Sequence, residues 1–91
     1  MLPAALRGFI TIGKEYKMGQ SHISNHIRSL RFNHNEMTQQ QLADQVGVTR
    51  QTIVAIEKEK YSPSLELAFR IARVFQLSLE EVFAYEEDPV H

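Results

Sequence analysis

The sequence predicts an all-α domain of five helices, to which the N-terminal arm or the tail could add a short strand. Apolar residues recur at helical spacing in five successive segments, and short polar breaks separate these segments. Residues that commonly cap helices stand at several of the breaks. The chain has 91 residues, of which 43% are hydrophobic, so it can bury one compact core but not two.

Composition and motifs exclude several classes of protein. Cysteine is absent, which rules out disulfide frameworks, thiolate zinc sites and cysteine nucleophiles. No stretch approaches the roughly 20 apolar residues of a membrane helix, and Arg7 interrupts the segment that a signal peptide would need to keep apolar. Glycine-rich phosphate loops and hydrolase motifs are missing from the sequence. We therefore expect a cytoplasmic protein that is not an enzyme and needs no cofactor.

A metal site is not expected either. His22 and His26 lie four residues apart, a spacing that can place two imidazole ligands on one face of a helix. No obvious third ligand accompanies them, so we expect these histidines to lie on the surface near the start of the domain.

The chain divides into an N-terminal leader or arm at residues 1–20, a domain at 21–85 and an acidic tail at 86–91. Within the arm, residues 9–12 are β-branched or aromatic and could form a short strand. The run from Lys14 to Met18 can be encoded as AAGGAG-TATAAA-ATG, a ribosome-binding sequence followed at suitable spacing by a start codon. This coding possibility raises the hypothesis that translation begins at Met18.

The first two helices are separated by a polar loop at residues 33–36. Helix one is expected from about Ser24 to Asn33, and its buried face is marked by Ile23, Ile27, Leu30 and Arg31. Helix two opens at Thr38, whose hydroxyl can accept from the backbone while Gln41 bonds back to it, forming a capping box. The buried stripe of helix two comprises Leu42, Ala43 and Val46. Gly47 then ends the helix as a left-handed C-cap.

Helix three is expected from the cap Thr49 to about Lys58, with Ile53 and Ile56 buried. Helix four begins at Ser62 and Pro63, a cap followed by a proline in the first turn. Its apolar face follows helical spacing and comprises Leu65, Ala68, Ile71, Ala72 and Phe75. A second capping box, Ser78 with Glu81, opens a short fifth helix with Val82 and Phe83 inside.

The segment from Gln39 to Ile56 has the spacing of two short helices joined by a sharp turn. Ala43 is small enough to allow two steeply crossing helices to touch, and Gly47 allows the positive φ that the turn requires. The apolar residues that would wedge the pair onto the rest of the domain are Leu42, Val46, Val48, Ile53 and Ile56.

With this spacing, the segment MTQQQLADQVGVTRQTIVAIEKEK (residues 37–60) resembles the lambda-repressor-like helix-turn-helix family, also called the Cro/repressor or xenobiotic-response-element family. The continuation YSPSLELAFRIARVF (residues 61–75) looks like a compact subgroup in which the domain is nearly the whole protein. The resemblance covers about residues 23–85. It implies a five-helix DNA-binding domain whose third helix enters the major groove.

The resemblance also implies roles for individual residues. By position, the base-reading candidates are Arg50, Gln51, Thr52 and Ala55. The phosphate-contacting candidates are Gln39, Thr49, Lys60 and, more weakly, Lys58. Arg31 and Glu57 match a family pair that forms a salt bridge between helices one and three. Arginine pairs with guanine and glutamine with adenine in the major groove, so the chemistry of these side chains suits the role.

Two features depart from the family pattern. The loop between Arg31 and Met37 is one residue longer than the commonest form. Glu59 stands where the family often has glycine, close to the expected phosphate track, so we expect it to weaken DNA binding.

The net charge of −1 is unusual for a nucleic-acid binder, but the charge is unevenly distributed. Residues 1–60 carry eight lysines and arginines against five acids, whereas residues 61–91 carry two against six. This pattern permits DNA contact through one face of the domain.

We therefore interpret the chain as a sequence-specific DNA-binding regulator, a repressor that binds a palindromic operator as a homodimer. Val82, Phe83 and Tyr85 are the apolar residues expected at the dimer interface, because helices two and three must face DNA. The alternative is a protein–protein interaction module, such as an antitoxin-like adaptor with the same fold. A metal or ligand sensor is less compatible with the sequence, because no separate effector domain is present.

Overall fold

The computed structural model describes residues 22–86, which form five helices and a two-stranded antiparallel sheet. In chain order, the elements are β1 (Ile23–Asn25), α1 (Ile27–Phe32), α2 (Gln39–Val46), α3 (Arg50–Glu57), α4 (Leu65–Val74), α5 (Leu79–Val82) and β2 (Phe83–Tyr85). The predicted fold class is confirmed. The strand considered at residues 9–12 and the hypothesised start at Met18 lie outside the described residues.

The short sheet pairs the start of the domain with its end. Ile23 lies opposite Tyr85, Ser24 opposite Ala84 and Asn25 opposite Phe83. The expectation of a terminal strand is therefore correct, whereas the expected start of helix one at Ser24 is wrong. Ile23, expected on the helix face, belongs to the strand.

The side chain of Asn25 explains why α1 starts later than predicted. Its Oδ1 accepts a hydrogen bond from the backbone N–H of Ile27 at 3.1 Å, which satisfies a donor at the start of the helix. Its Nδ2 donates to the carbonyl oxygen of Ile56 at 2.9 Å and so ties β1 to the end of α3. The backbone N–H of His26 donates to the carbonyl oxygen of Val82 at 2.9 Å. These contacts hold the chain extended until α1 begins.

One core lies between the helices and receives residues from all five of them. The buried residues are Ile27, Leu42, Ala43, Val46, Ile53, Ile56, Leu67, Ala68, Ile71, Ala72, Phe75, Val82 and Phe83. Leu65, predicted on the buried face of helix four, is instead 67% exposed. Leu67 takes its place in the core, because it precedes Ile71 by four residues and so lies on the buried face of the helix. The other predicted residues of that face, Ala68, Ile71, Ala72 and Phe75, are buried.

The capping residues fix most helix starts where the sequence placed them. In α2, the backbone N–H of Gln41 donates to Thr38 Oγ1 at 3.0 Å, and the N–H of Thr38 donates to Gln41 Oε1 at 2.8 Å.

The start of α4 differs from the prediction, because Ser64 and not Ser62 is the cap. Ser64 Oγ accepts from the N–H of Leu67 at 3.1 Å. Pro63 lies between two serines, either of which is a common capping residue.

The last helix shows the second predicted capping box. The backbone N–H of Ser78 donates to Glu81 Oε1 at 2.8 Å. Hydrogen bonds from the backbone and hydroxyl of Ser78 favour the ionised carboxylate and lower the pKa of Glu81. Phe83 follows the helix in β2 and is still buried.

Within residues 22–86, no helix is long and apolar enough to cross a membrane. The same residues contain no group of three or more potential metal ligands placed to bind an ion.

Candidate nucleic-acid interface

The turn between α2 and α3 has the geometry that its sequence predicts. Gly47 adopts φ +79°, a left-handed conformation that strains any residue with a side chain. The backbone N–H groups of Gly47 and Val48 both donate to the carbonyl oxygen of Ala43, at 2.9 and 3.0 Å. These two bonds satisfy the end of α2 and turn the chain sharply into α3.

Thr49 caps the N-terminus of α3 and holds a neighbouring hydroxyl. Its Oγ1 accepts from the backbone N–H of Thr52 at 3.3 Å and lies 3.1 Å from Thr52 Oγ1. Since the Thr52 hydroxyl is already paired, its methyl group is the part that remains for an apolar contact.

The surface of α3 opposite the core is continuous along the helix. Burial of Ile53 and Ile56 fixes the orientation of the helix, so residues at the complementary spacing face outward. The side chains that line the open surface along α3 are Arg50, Gln51, Val54, Ala55 and Lys58, with Lys60 beyond the helix and Gln40 across from it on α2. The structure thus brings Arg50, Gln51 and Ala55 to one surface, together with the phosphate candidates Lys58 and Lys60.

A groove of about 570 Å³ lies beside this surface, between α1, the start of α2 and α3. It is lined by Arg28, Arg31, Phe32, Thr38, Gln39, Gln40, Arg50, Val54, Glu57 and Lys58. The start of α2 therefore opens onto the same groove as the exposed face of α3. The phosphate candidate Gln39 and the base-reading candidate Arg50 share this groove.

Four of these lining residues were not singled out from the sequence: Arg28, Phe32, Gln40 and Val54. Val54 could have been found, because it lies one helical turn after Arg50 on the same face of α3. Arg28 and Phe32 belong to α1 and reach the groove only through the way that α1 packs on the domain. Their side chains are adjacent, with the Arg28 guanidinium 5.9 Å from the centre of the Phe32 ring.

A nearly buried ion pair lies at the floor of the groove. Arg31 Nε donates to Glu57 Oε2 at 2.7 Å and Arg31 Nη2 donates to Oε1 at 3.0 Å, a bidentate pair whose side chains are 11% and 9% exposed. Arg31 Nη1 also donates to the carbonyl oxygen of Met37 at 2.8 Å. Gln39 Nε2 donates to Glu57 Oε1 at 3.2 Å. The ion pair thus connects α1 to α3 and orients the first side chain of α2.

The groove is positively charged despite the net charge of the chain. Among residues 22–86, the carboxylate ion pairs are Arg31 with Glu57 and Arg70 with Glu66, so Arg28, Arg50 and Lys58 have no acidic partner there. The described acids of the C-terminal part, Glu80, Glu81 and Glu86, do not line the groove. A cationic groove beside an exposed helix face is able to contact a phosphate backbone while the helix contacts bases.

The expected dimer residues are only partly available at the surface. Val82 is 0% exposed and Phe83 is 8% exposed, and both pack in the core of their own chain. The expectation that they are free to form an interface is therefore wrong, because Val82 at the end of α5 and Phe83 at the start of β2 both face the core. Tyr85 is 61% exposed, and its ring lies 5.9 Å from the ring of His22.

The chain is similar to known helix-turn-helix proteins. A family model described as helix-turn-helix matches residues 27–82. A protein from Methanocaldococcus jannaschii named an uncharacterized HTH-type transcriptional regulator is 52% identical over 66 residues, which make up 72% of this chain and 98% of that protein. A Bacillus subtilis protein with the same kind of name is 44% identical over 66 residues, again 72% of this chain and 98% of the relative.

A solved crystal structure from Bacteroides fragilis has a similar fold. It superposes with a TM-score of 0.59 and covers 68% of this chain and 98% of its own, with 22% sequence identity. At that identity, the likeness concerns the fold alone.

Proposed function

The chain belongs to the helix-turn-helix family of DNA-binding transcriptional regulators, and from this premise we propose that it represses transcription by binding a specific palindromic operator as a homodimer. The observation that carries the proposal is the shared surface of α3 and the cationic groove. Arg50 lines both of them. A side chain at that position can reach bases while its neighbours reach the backbone.

In the proposed complex, α3 lies in the major groove with its N-terminus towards the base edges. Arg50 and Gln51 are exposed and provide the donors and acceptors that pair with guanine and adenine. Ala55 and the methyl group of Thr52 offer apolar contact to a thymine methyl. Val54, also partly exposed on α3, adds a further apolar contact beside Arg50.

The backbone contacts come from both sides of α3 in this proposal. Gln39 stands at the first position of α2, where exposed backbone N–H groups favour a phosphate. Its amide is held by Glu57 at 3.2 Å, which reduces the entropy lost when it binds. Lys58 lines the same groove as Gln39, and Arg28 extends that groove towards α1. Thr49 caps the start of α3, and Lys60 lies beyond its end.

Repression in the cytoplasm requires no chemistry from this domain. Occupancy of an operator is sufficient to exclude other proteins from the same DNA. A single recognition helix reads only about four or five base pairs, so two copies on half-sites roughly 34 Å apart provide the required selectivity.

Selection from a randomised duplex library tests this function. We expect the full chain to enrich a palindromic sequence whose half-site spacing corresponds to one turn of the duplex. Unselective binding that disappears at moderate salt would indicate backbone electrostatics alone. That result would contradict the proposal and favour a protein–protein interaction module with the same fold.

A further inference from the structure

The exposed face of α4 carries two large apolar side chains that the DNA-binding surface does not use. Leu65 is 67% exposed and Phe69 is 49% exposed, and their spacing of four residues places them on the same face of the helix. Neither residue lines the grooves beside α3. A side chain of this size costs free energy while it remains in water, so a partner surface that covers both is favourable.

A shallow groove continues from Phe69 towards the C-terminal end of α4. Its volume is about 510 Å³, and it is lined by Phe69, Ala72, Arg73, Gln76, Leu77, Ser78 and Leu79. The lining is apolar at Phe69, Ala72, Leu77 and Leu79, where α4 meets the start of α5. Leu65 therefore protrudes one helical turn before Phe69, and the recess lies one helical turn after Phe69.

This arrangement is self-complementary under a two-fold axis. If two copies of α4 pack antiparallel with the axis at Phe69, Leu65 lies about 6 Å from the axis in one direction, because a helix rises 1.5 Å per residue. The recess of the partner lies at the same distance on the same side. The leucine of each copy then enters the recess of the other, as an isologous interface requires.

The charges beside the apolar face obey the same symmetry. Glu66 precedes Phe69 by three residues, and Arg73 follows it by four. Both are exposed, and Glu66 makes only a solvent-accessible pair with Arg70 within its own helix, at 2.9 Å. In the antiparallel arrangement, Glu66 of each copy approaches Arg73 of the other. Opposite charges therefore meet twice across the axis.

We propose that a second copy of this chain docks on the face formed by Leu65, Glu66, Phe69 and Arg73, with Leu65 inserted into the recess beside Phe69. The inference rests on the proposed function, because a palindromic operator needs a two-fold protein. It replaces the interface expected around β2, where Tyr85 is the exposed member of the three residues named from the sequence.

The small size of this face sets the strength of the dimer. Stable protein interfaces bring roughly 20–30 residues from each partner, and this face offers far fewer. We therefore expect a weak equilibrium between monomer and dimer in free solution, which operator DNA shifts towards the dimer by holding two copies side by side.

Sedimentation equilibrium of the full chain from micromolar to submillimolar concentration tests the interface. The average mass should rise with concentration for the unmodified chain and should stay monomeric for Phe69→Glu. Tyr85→Glu is the matched control, since it places the same charge on an exposed aromatic residue outside the proposed face, and it should dimerise like the parent. A circular dichroism spectrum shows that each variant is folded.

A charge exchange separates the interface from general disruption. Glu66→Arg alone and Arg73→Glu alone should each weaken the dimer at least several-fold, because each brings like charges together across the axis. The combination Glu66→Arg with Arg73→Glu should restore dimerisation. Loss of folding cannot produce such a rescue.

The proposal is overturned if Phe69→Glu dimerises like the parent, or if Tyr85→Glu alone abolishes the dimer. It is also overturned if the combined charge exchange fails to restore dimerisation. A parent that is monomeric at every concentration and on DNA would overturn it as well. A separate titration with a single half-site distinguishes these results from failure of the proposed function. If Phe69→Glu keeps the base preference of the parent on the half-site, DNA reading stands independently of the interface.

Discussion

Glu57 accepts hydrogen bonds from donors on two other elements, the Arg31 guanidinium of α1 and the Gln39 amide of α2. The carboxylate is 9% exposed and therefore depends on these partners to offset the loss of water. Through it, α3, the proposed recognition helix, is attached to α1. At the scale of single residues, the geometry of the interface thus depends on side chains that need not touch DNA themselves.

We expect Arg31→Met to destabilise the protein by about 3–5 kcal/mol, because it leaves Glu57 charged, nearly buried and without its main partner. The combined variant Arg31→Met with Glu57→Met should recover much of this loss, since no uncompensated charge remains. Urea unfolding followed by circular dichroism measures both changes.

Arg70→Met provides the control for these variants. It removes an ion pair whose side chains are 55% and 77% exposed, together with a hydrogen bond of 3.3 Å from Arg70 Nη1 to the carbonyl oxygen of Val46. It should cost about 1 kcal/mol. If Arg31→Met costs no more than Arg70→Met, the ion pair does not support α3 in the way described.

At the scale of secondary-structure elements, the ends of helices govern where the recognition surface lies. Gly47 takes the left-handed conformation between α2 and α3 without strain. Within residues 22–86, four residues with side chains also take it, namely Asn35, Glu36, Glu59 and Gln76. Glu59 follows α3 with φ +61°. The departure from the usual glycine noted in the sequence therefore has a structural cost as well as an electrostatic one.

Two substitutions at Glu59 separate these costs. We expect Glu59→Gly to stabilise the fold by up to about 1 kcal/mol, because glycine avoids the penalty of roughly 1–2 kcal/mol for a left-handed residue but loses more backbone entropy. Glu59→Gln should leave stability nearly unchanged. Both should tighten DNA binding, since both remove an acid close to Lys58 and Lys60.

Thermal unfolding and binding titrations on one duplex measure the two effects independently. Equal stability of Glu59→Gly and Glu59→Gln would show that the backbone at this position is not strained. Unchanged affinity in both would show that Glu59 lies away from the phosphates.

The elements that could be predicted from the sequence are those with local signals. The caps at Thr38 and Thr49 and the glycine at position 47 each bond within a few residues, so their effect is visible in the sequence alone. The sequence predicts a helix where β1 lies, because the partner strand is some 60 residues away, as in the pairing of Ser24 with Ala84. It does not fix the start of α4, because two serines flank Pro63 and either can cap.

The candidate site shows the same division. Residues of α3 follow from one helical period, so Arg50 and Gln51 could be placed on a shared surface in advance. Arg28 and Phe32 could not, because their position beside α3 results from tertiary packing of α1. Val82 and Phe83 are buried, as expected for the inside of the fifth helix, and this burial is incompatible with the dimer interface also expected of them.

At the scale of the whole molecule, the chain is arranged so that one face carries positive charge while the sum stays near zero. The sheet of β1 and β2 joins the two ends of the domain. Beyond the paired residues, the backbone N–H of Glu86 donates to the carbonyl oxygen of His22 at 2.7 Å. Among the described residues, Glu80, Glu81 and Glu86 lie outside the lining of the groove between α1 and α3. Neutrality in total is therefore compatible with electrostatic attraction between the groove and a phosphate backbone.

The most direct test of the central claim, that α3 reads sequence, is a titration of the parent and of Arg50→Ala on two duplexes at several salt concentrations. One duplex carries the selected site, and the other has the base pair assigned to Arg50 replaced. We expect Arg50→Ala to lose about 1–3 kcal/mol on the selected site and much less on the altered one, so that discrimination at that position relaxes. An equal loss on both duplexes, with a shallower dependence on salt, would contradict the claim and assign Arg50 to the phosphate backbone.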